Sequence, residues 1–370
     1  MTFPVISCAI MAHPSRRERA EQLAAQLDRL SPTIVYDPDP TGPPSAMKTA
    51  RLAWSSFSSE ATHHLVLQDD VSVPPNFVDL LVAAVTTQPE RLIGLSTDWS
   101  SKSGQAVRIA ALGGFQWAPM LDRNVWAVSV LMPSDWVEEF LAYLTIHPDD
   151  RDSAALREFL RRRGSEGVSV VPNLVDHDRP YIRSMWARNV DQGPRRAALR
   201  SSVVDTSWFK SDAVAPVDQL NLVSTETVRA MTGVVRPYGE FAVFPTAELF
   251  QAPEFERIAS QFYERVETSH RKELELTSPA HLFQCWLVAT LTHHRKQADL
   301  PPGLLAECSR TLFTGSLKRM FSPSQLDALE TLSMPWLEEA FVDDSFEEIS
   351  GILRERIEAR ERAGELRGSA

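Results

Sequence analysis

Cysteine is scarce. Cys8, Cys285 and Cys308 are the three in 370 residues, odd in number, far apart and without a CxxC pair. That excludes a disulfide framework and a zinc knuckle, and it fits a reducing cytoplasm. Long apolar runs are missing as well. No window reaches the roughly 18 uninterrupted apolar residues of a membrane span. The opening stretch "MTFPVISCAIMAHPSRRERA" has about 9 apolar residues with no basic region before them, so it reads as a first core strand and not as a signal peptide. Positive charge is the minority sign: 38 Lys and Arg face 49 Asp and Glu, giving a net charge of −11 and a pI near 5.4. A general nucleic-acid binder is thereby excluded, because phosphate-backbone affinity rests on clustered Lys and Arg. Any anionic ligand must be met locally, by a metal, a few arginines or backbone N–H groups. With 15 glycines and 25 prolines the chain is neither fibrous nor disordered in class. It carries no internal repeat and no Gly-rich phosphate loop.

What remains is an ordinary core-forming chain, 43% hydrophobic and 24% charged, long enough for one large domain and a smaller one. Its first half alternates. Val5 to Met11 is strand-like, "SRRERAEQLAAQLDRL" has helical spacing through Ala20, Leu23, Ala24 and Leu27, and "TIVYD" is strand-like again. A helix over "SAMKTARLAWSSFSSEA", a strand "HHLVLQDD", a helix "NFVDLLVAAVTTQ" and a strand "RLIGLST" follow. This alternation predicts an α/β fold with a mostly parallel, Rossmann-like sheet flanked by helices, with ligands beyond the carboxyl ends of its strands. Later come the strand-like "NVWAVSVLMP", the helices "SDWVEEFLAYLTIH" and "SAALREFLRRRG", and the strand "VSVVPNLVDHD". The basic segment from Arg179 to Ser207 is broken by Gly193-Pro194 and reads as a linker. Residues 1–204 are therefore expected to form a nucleotide-binding domain. Residues 205–370 are expected to form a mainly helical domain or extension, with capping-box starts at Ser322 and Ser345.

Within the first half, "HHLVLQDDVSVPPNF" ends a buried strand in two adjacent carboxylates, Asp69 and Asp70. Such a pair makes a turn, or it holds a cation. Mg²⁺ and Mn²⁺ prefer carboxylate oxygen and can bridge an enzyme to a diphosphate, which would let an acidic protein bind an anion.

The segments "ISCAIMAHPSRRERAEQL", "HHLVLQDDV", "NVWAVSVLMP" and "VVPNLVDHD" together resemble GT-A-fold glycosyltransferases. "LVLQDDV" is similar in particular to the "LEDDV" form of the DxD motif in the lipooligosaccharide and procollagen galactosyltransferase group. The resemblance covers roughly residues 3 to 180 and none of the helical remainder. It implies a GT-A-like mixed sheet and transfer of a hexose from a nucleoside-diphosphate sugar, UDP favoured, to a hydroxyl acceptor with Mn²⁺ or Mg²⁺. By the same resemblance, Asp70 matches the metal-binding carboxylate, Asp69 a helper contacting sugar or ribose, and His177 a histidine that completes the metal and diphosphate site. Asp37 sits where such enzymes hold the base or ribose. Gln68 stands at the first acidic position of the DxD, a departure that keeps a non-catalytic GT-A-like scaffold, with partner contacts through the helical half, as the alternative.

Other candidates come from residue type and position. The front loop "AHPSRRE" places His13, Arg16 and Arg17 by a helix start, where free N–H groups favour phosphate. Lys48 and Arg51, at i and i+3 of the next helix, share a face and could reach a diphosphate. "IHPDDRDSAALREFL" offers Asp149, Asp150 and Asp152 before a helix, to cap it or to deprotonate an acceptor hydroxyl. Phe115 and Trp117 in "LGGFQWAP" could stack on a sugar or pack in the core. His63 and His64, inside the strand, are expected to pack.

Overall fold

Side-chain alternation along the first strands sets the layering. β1 (Ile6–Ala12) sends Cys8, Ile10 and Ala12 to one face and Ala9 and Met11 to the other, and β3 (His63–Gln68) divides Leu65 and Leu67 from Val66 in the same way. The first set packs against α1 (Arg17–Gln26) and α3 (Phe77–Thr87). The second packs against α2 (Ala46–Ser55), α5 (Ser134–Ile146) and α6 (Asp152–Arg163). Helices thus cover both faces, so the strands are apolar nearly throughout. Each fully buried Leu or Val contributes about 1.5 to 3 kcal/mol by leaving water. This computed structural model describes residues 4–43, 45–147, 151–177, 196–200, 204–224, 229–235, 241–269, 275–293, 295, 300, 303–342 and 347–364.

The chain divides into two compact units, the first running to Ala215 apart from Ala111–Gly114, the second from Pro216 onward. The first is an α/β unit around a seven-stranded mixed sheet of order β2-β1-β3-β7-β5-β8-β6. Here β2 is Thr33–Tyr36, β5 Ile93–Gly94, β6 Trp117–Pro119, β7 Ser129–Pro133 and β8 Val168–Val170. β1 is parallel to β2 and to β3, and β5 to β8, whereas β7 runs against β3 and β5, and β6 against β8. A separate two-stranded ribbon pairs β4 (Val71–Ser72) with β9 (Asp176–His177). The division falls later than the 204–205 boundary suggested by composition, because residues 204–215 pack on the first unit. Trp208 donates from Nε1 to the Val171 carbonyl at 2.7 Å, Trp117 from Nε1 to that of Ser211 at 2.9 Å, and Phe209 joins the first core.

The second unit opens with an antiparallel sheet of β10 (Gln219–Ser224), β11 (Arg229–Val235) and β12 (Phe241–Pro245). The expectation of a mainly helical part beyond residue 205 does not contain this sheet. The helices that follow are Ala252–Ser269, Pro279–His293, Leu304–Leu317, Pro323–Val342 and Glu347–Arg362. Pro279–His293 is tied to the sheet by the Gln284 side-chain carbonyl, which accepts the Ala230 N–H at 2.7 Å. The capping box at Ser322 is formed: the Ser322 N–H donates to Gln325 Oε1 at 2.9 Å and the Gln325 N–H to Ser322 Oγ at 3.4 Å. Ser345 lies outside the described residues.

Candidate active site at the strand ends

Parallel β1, β2 and β3 deliver their carboxyl ends side by side, and these carry His13, Asp37 and the Asp69–Asp70 pair. Backbone bonds continue the sheet into this region, from the Asp69 N–H to the Met11 carbonyl at 3.0 Å and from the Asp37 N–H to that of Ala12 at 2.9 Å. A small open cleft lies there, lined by strand-end residues His13, Asp37, Gln68 and Asp70, by Arg16, and by Ala46 and Thr49 of α2. Such a position beyond the strand ends is where open α/β sheets bind ligands.

The two aspartates have different tasks, because adjacent side chains at the end of an extended segment point apart. Asp69 is wholly buried and turns to the front loop. Its Oδ2 accepts the His13 N–H at 3.1 Å and Arg16 Nε at 3.0 Å, and its Oδ1 lies 2.7 Å from Arg16 Nη2. Its backbone carbonyl accepts Arg19 Nε at 2.9 Å. Burial pushes the Asp69 carboxyl up to about 6, against the pull of Arg16 and the His13 N–H, with the Asp70 charge adding to the rise. The residue read as a sugar or ribose helper therefore anchors the front loop. Asp70 is 14% exposed, faces the cleft, and lies 3.6 Å from Arg16 Nη1, too far for a hydrogen bond. Its Oδ1 is buried without a hydrogen-bond partner.

His177 is brought to the same end by the β4–β9 ribbon, which pairs it with Val71, the residue after Asp70. Its ring stands edge-on to Trp126, centroids 6.1 Å apart, and its Nε2 is also buried with no hydrogen-bond partner. Buried polar atoms left without partners cost about 1 to 3 kcal/mol each, a cost that a ligand or an ordered water at these atoms would relieve. One imidazole nitrogen and one carboxylate oxygen are a fitting donor pair for Mn²⁺. Among the described residues no group of three or more His, Cys, Asp or Glu side chains is gathered for a metal. Any cation here would take its remaining ligands from substrate and water, as Mg²⁺-type sites do.

The other candidates divide. His13 opens the front loop, its Nδ1 accepting the Ser15 N–H at 3.2 Å, and it lines the cleft. Asp37 is buried, lines the cleft, and its Oδ1 accepts the Asp39 N–H at 3.0 Å. Lys48 is exposed and pairs with Asp39 at 2.5 Å. Arg51 donates to the Leu144 carbonyl, joining α2 to the last turn of α5, so its charge serves helix packing. Arg17 lies over the Tyr36 ring at 5.3 Å. Asp149 and Asp150 lie outside the described residues. Asp152 opens α6, its Oδ1 accepting the Ser153 N–H at 2.8 Å, and burial raises its pKa. The Ser153 carbonyl accepts the Val125 N–H at 3.1 Å, which ties that helix start to the segment carrying Trp126.

Trp117 is not a sugar platform. It is fully buried against Phe209 in the first core. His63 and His64 are buried packing residues, with His64 edge-on to Trp54 at 5.7 Å. Sequence reasoning passed over Arg19, Thr49 and Trp126. Thr49 is buried, lines the cleft and has an Oγ1 with no hydrogen-bond partner. Its position one residue after Lys48, on the face that carries buried Met47 and Ala50, was the available signal.

No family model matches the chain, and no curated protein does.

Proposed function

We propose that the chain is a nucleotide-sugar-dependent glycosyltransferase that moves a hexose from a nucleoside-diphosphate sugar, UDP favoured, to a hydroxyl acceptor with the help of Mn²⁺ or Mg²⁺. The observation that carries this is two buried, unpartnered donor atoms, Asp70 Oδ1 on the cleft lining and His177 Nε2 on the strand that pairs with Val71, the residue after Asp70. In a protein of net charge −11 an anionic donor needs local positive charge, and this pair is suited to hold it as a cation. A divalent ion bound there would supply a Lewis acid that neutralises charge on the departing diphosphate. Arg16 offers its remaining guanidinium nitrogen to phosphate oxygen, and His13 lines the same cleft. Asp37 and Thr49, which also line the cleft, would hydrogen-bond the nucleoside. Asp152, its carboxyl raised by burial, is the described candidate to accept the acceptor's hydroxyl proton.

Among the described residues no helix is long and apolar enough to cross a membrane. Three buried cysteines outside any disulfide agree with the cytoplasmic location we assign. A non-catalytic scaffold that meets partners through its second unit is the alternative. It is favoured by Gln68 and by Arg16, which already neutralises one of the two carboxylates.

A panel of UDP- and GDP-hexoses, screened by thermal unfolding with and without Mn²⁺, separates the two. A donor at a hundredfold excess over its Kd stabilises by about 2.7 kcal/mol. A rise in Tm with one nucleotide sugar, larger in Mn²⁺, and release of nucleoside diphosphate on adding hydroxyl acceptors are expected. No shift with any nucleotide would favour the scaffold.

A further inference from the structure

Arg16 is held in an unusual way for a surface arginine at a helix start. Two of its three guanidinium nitrogens are taken by the buried Asp69: Nε donates to Oδ2 at 3.0 Å, and Nη2 lies 2.7 Å from Oδ1. The third, Nη1, is buried, has no hydrogen-bond partner, and stands 3.6 Å from Asp70 Oδ2 at the cleft that both residues line. Guanidinium is planar and always charged, so fixing two nitrogens fixes where the third presents its protons. Asp69 is thus the clamp and Nη1 the part that is free to act. A fixed positive charge beside Asp70 has two consequences of opposite sign. It opposes any second cation on that carboxylate, and it attracts an anion brought into the cleft.

We infer that Arg16 is a built-in counter-cation for Asp70, which competes with a divalent ion for that carboxylate and hands its Nη1 to the donor's diphosphate when the ion takes Asp70. The inference rests on the donor-site reading above and adds to it a coupling between metal and nucleotide. Without the ion, Arg16 offsets part of the negative charge of Asp69 and Asp70. In a loaded site, the diphosphate lies between two cations. Arg16 here is a positioning residue that acts on charge, and it makes the metal weak alone and strong with nucleotide.

The test uses the full chain and two probes, Mn²⁺ alone, followed by the signal of the free aquo ion in electron paramagnetic resonance, and UDP at saturating Mn²⁺, followed by calorimetry. Arg16→Met is made in an Asp69→Asn background, so that no buried carboxylate is left unpaired. Relative to Asp69→Asn alone, the double variant should bind Mn²⁺ about tenfold tighter, because a positive charge beside Asp70 is gone. It should bind UDP about tenfold weaker, because a charge-assisted contact is lost. Arg16→Gln in the otherwise unchanged protein, which removes the charge and leaves Asp69 a polar partner, should move both affinities in the same opposed directions, and it serves if the Asp69→Asn chain does not fold. A purely structural arginine would move both affinities downward, and that result, or no change in either, overturns the inference. If the unaltered protein binds both probes and the opposed shifts are missing, only this coupling fails. If it binds neither, the donor-site reading fails and takes the coupling with it.

Discussion

Adjacent residues of one type carry unlike roles at this site. Asp69 and Asp70 are chemically identical, yet one is wholly buried and committed to Arg16 and the His13 N–H while the other faces the cleft. The strand's alternation made that split foreseeable, and the "QDD" ending marked the place. What the linear sequence could not supply was the partner: Arg16 lies 53 residues away, and no local rule ties it to Asp69. Asp70→Asn keeps the side chain's size and removes its charge. Equilibrium dialysis of a labelled UDP-hexose in Mn²⁺ should show affinity falling about tenfold to a hundredfold, the cost of one charge-assisted contact. His177→Ala should fall in the same assay by a smaller factor. Unchanged affinity in both would detach the buried donor pair from the ligand.

Longer elements were the most legible. The βαβ alternation over residues 5 to 95 appears as β1, α1, β2, α2, β3, α3 and β5, because buried strands and amphipathic helices write their periods over many residues. Some short or antiparallel elements were not. The β4–β9 ribbon that delivers His177 is two residues long on each side, too short for any period. The β10–β12 sheet was hidden behind the helical signals that follow it, although Leu220 and Leu222 alternate with Asn221. At α2 the sequence marked the helix but not the hydrogen bond that Arg51 donates to the Leu144 carbonyl on α5. Arg51→Met should therefore lower stability by about 1 kcal/mol, read as a lower urea midpoint, and leave nucleotide affinity unchanged. A loss of nucleotide binding without loss of stability would return Arg51 to the site. Gly164 closes α6 at φ +63°, where no atom would obstruct a Cβ. Gly164→Ala should still cost about 1 kcal/mol, because the left-handed conformation itself penalises a Cβ, and the Tm should fall accordingly.

Taken as a whole, the protein is acidic, and its chemistry depends on how a few buried groups are charged. In the second unit His281 is buried, and its pKa is pushed down to about 4 by that burial. The unfolded chain takes up this proton near pH 6.5 and the folded one does not until about pH 4, so stability falls as pH drops through that interval. The loss amounts to roughly 3 kcal/mol when complete. Asp69 works in the other direction: its raised carboxyl favours the folded state when protonated, so it adds stability as pH drops from about 6 toward 3.8. Comparing His281→Gln with the unaltered protein isolates the first effect. The difference in unfolding free energy between them should shift by about 2.5 kcal/mol between pH 7.5 and pH 4.5, and a constant difference would contradict the burial argument.

The most direct measurement is a calorimetric titration of a UDP-hexose into the unaltered protein, first in Mn²⁺ and then in EDTA. Binding in Mn²⁺ that is lost or weakened at least about tenfold in EDTA is the predicted result, because Asp70 and His177 would then lack the cation that joins them to the diphosphate. Equal binding in both buffers would contradict the metal assignment and leave Arg16 as the site's cation. No binding in either would contradict the donor site itself.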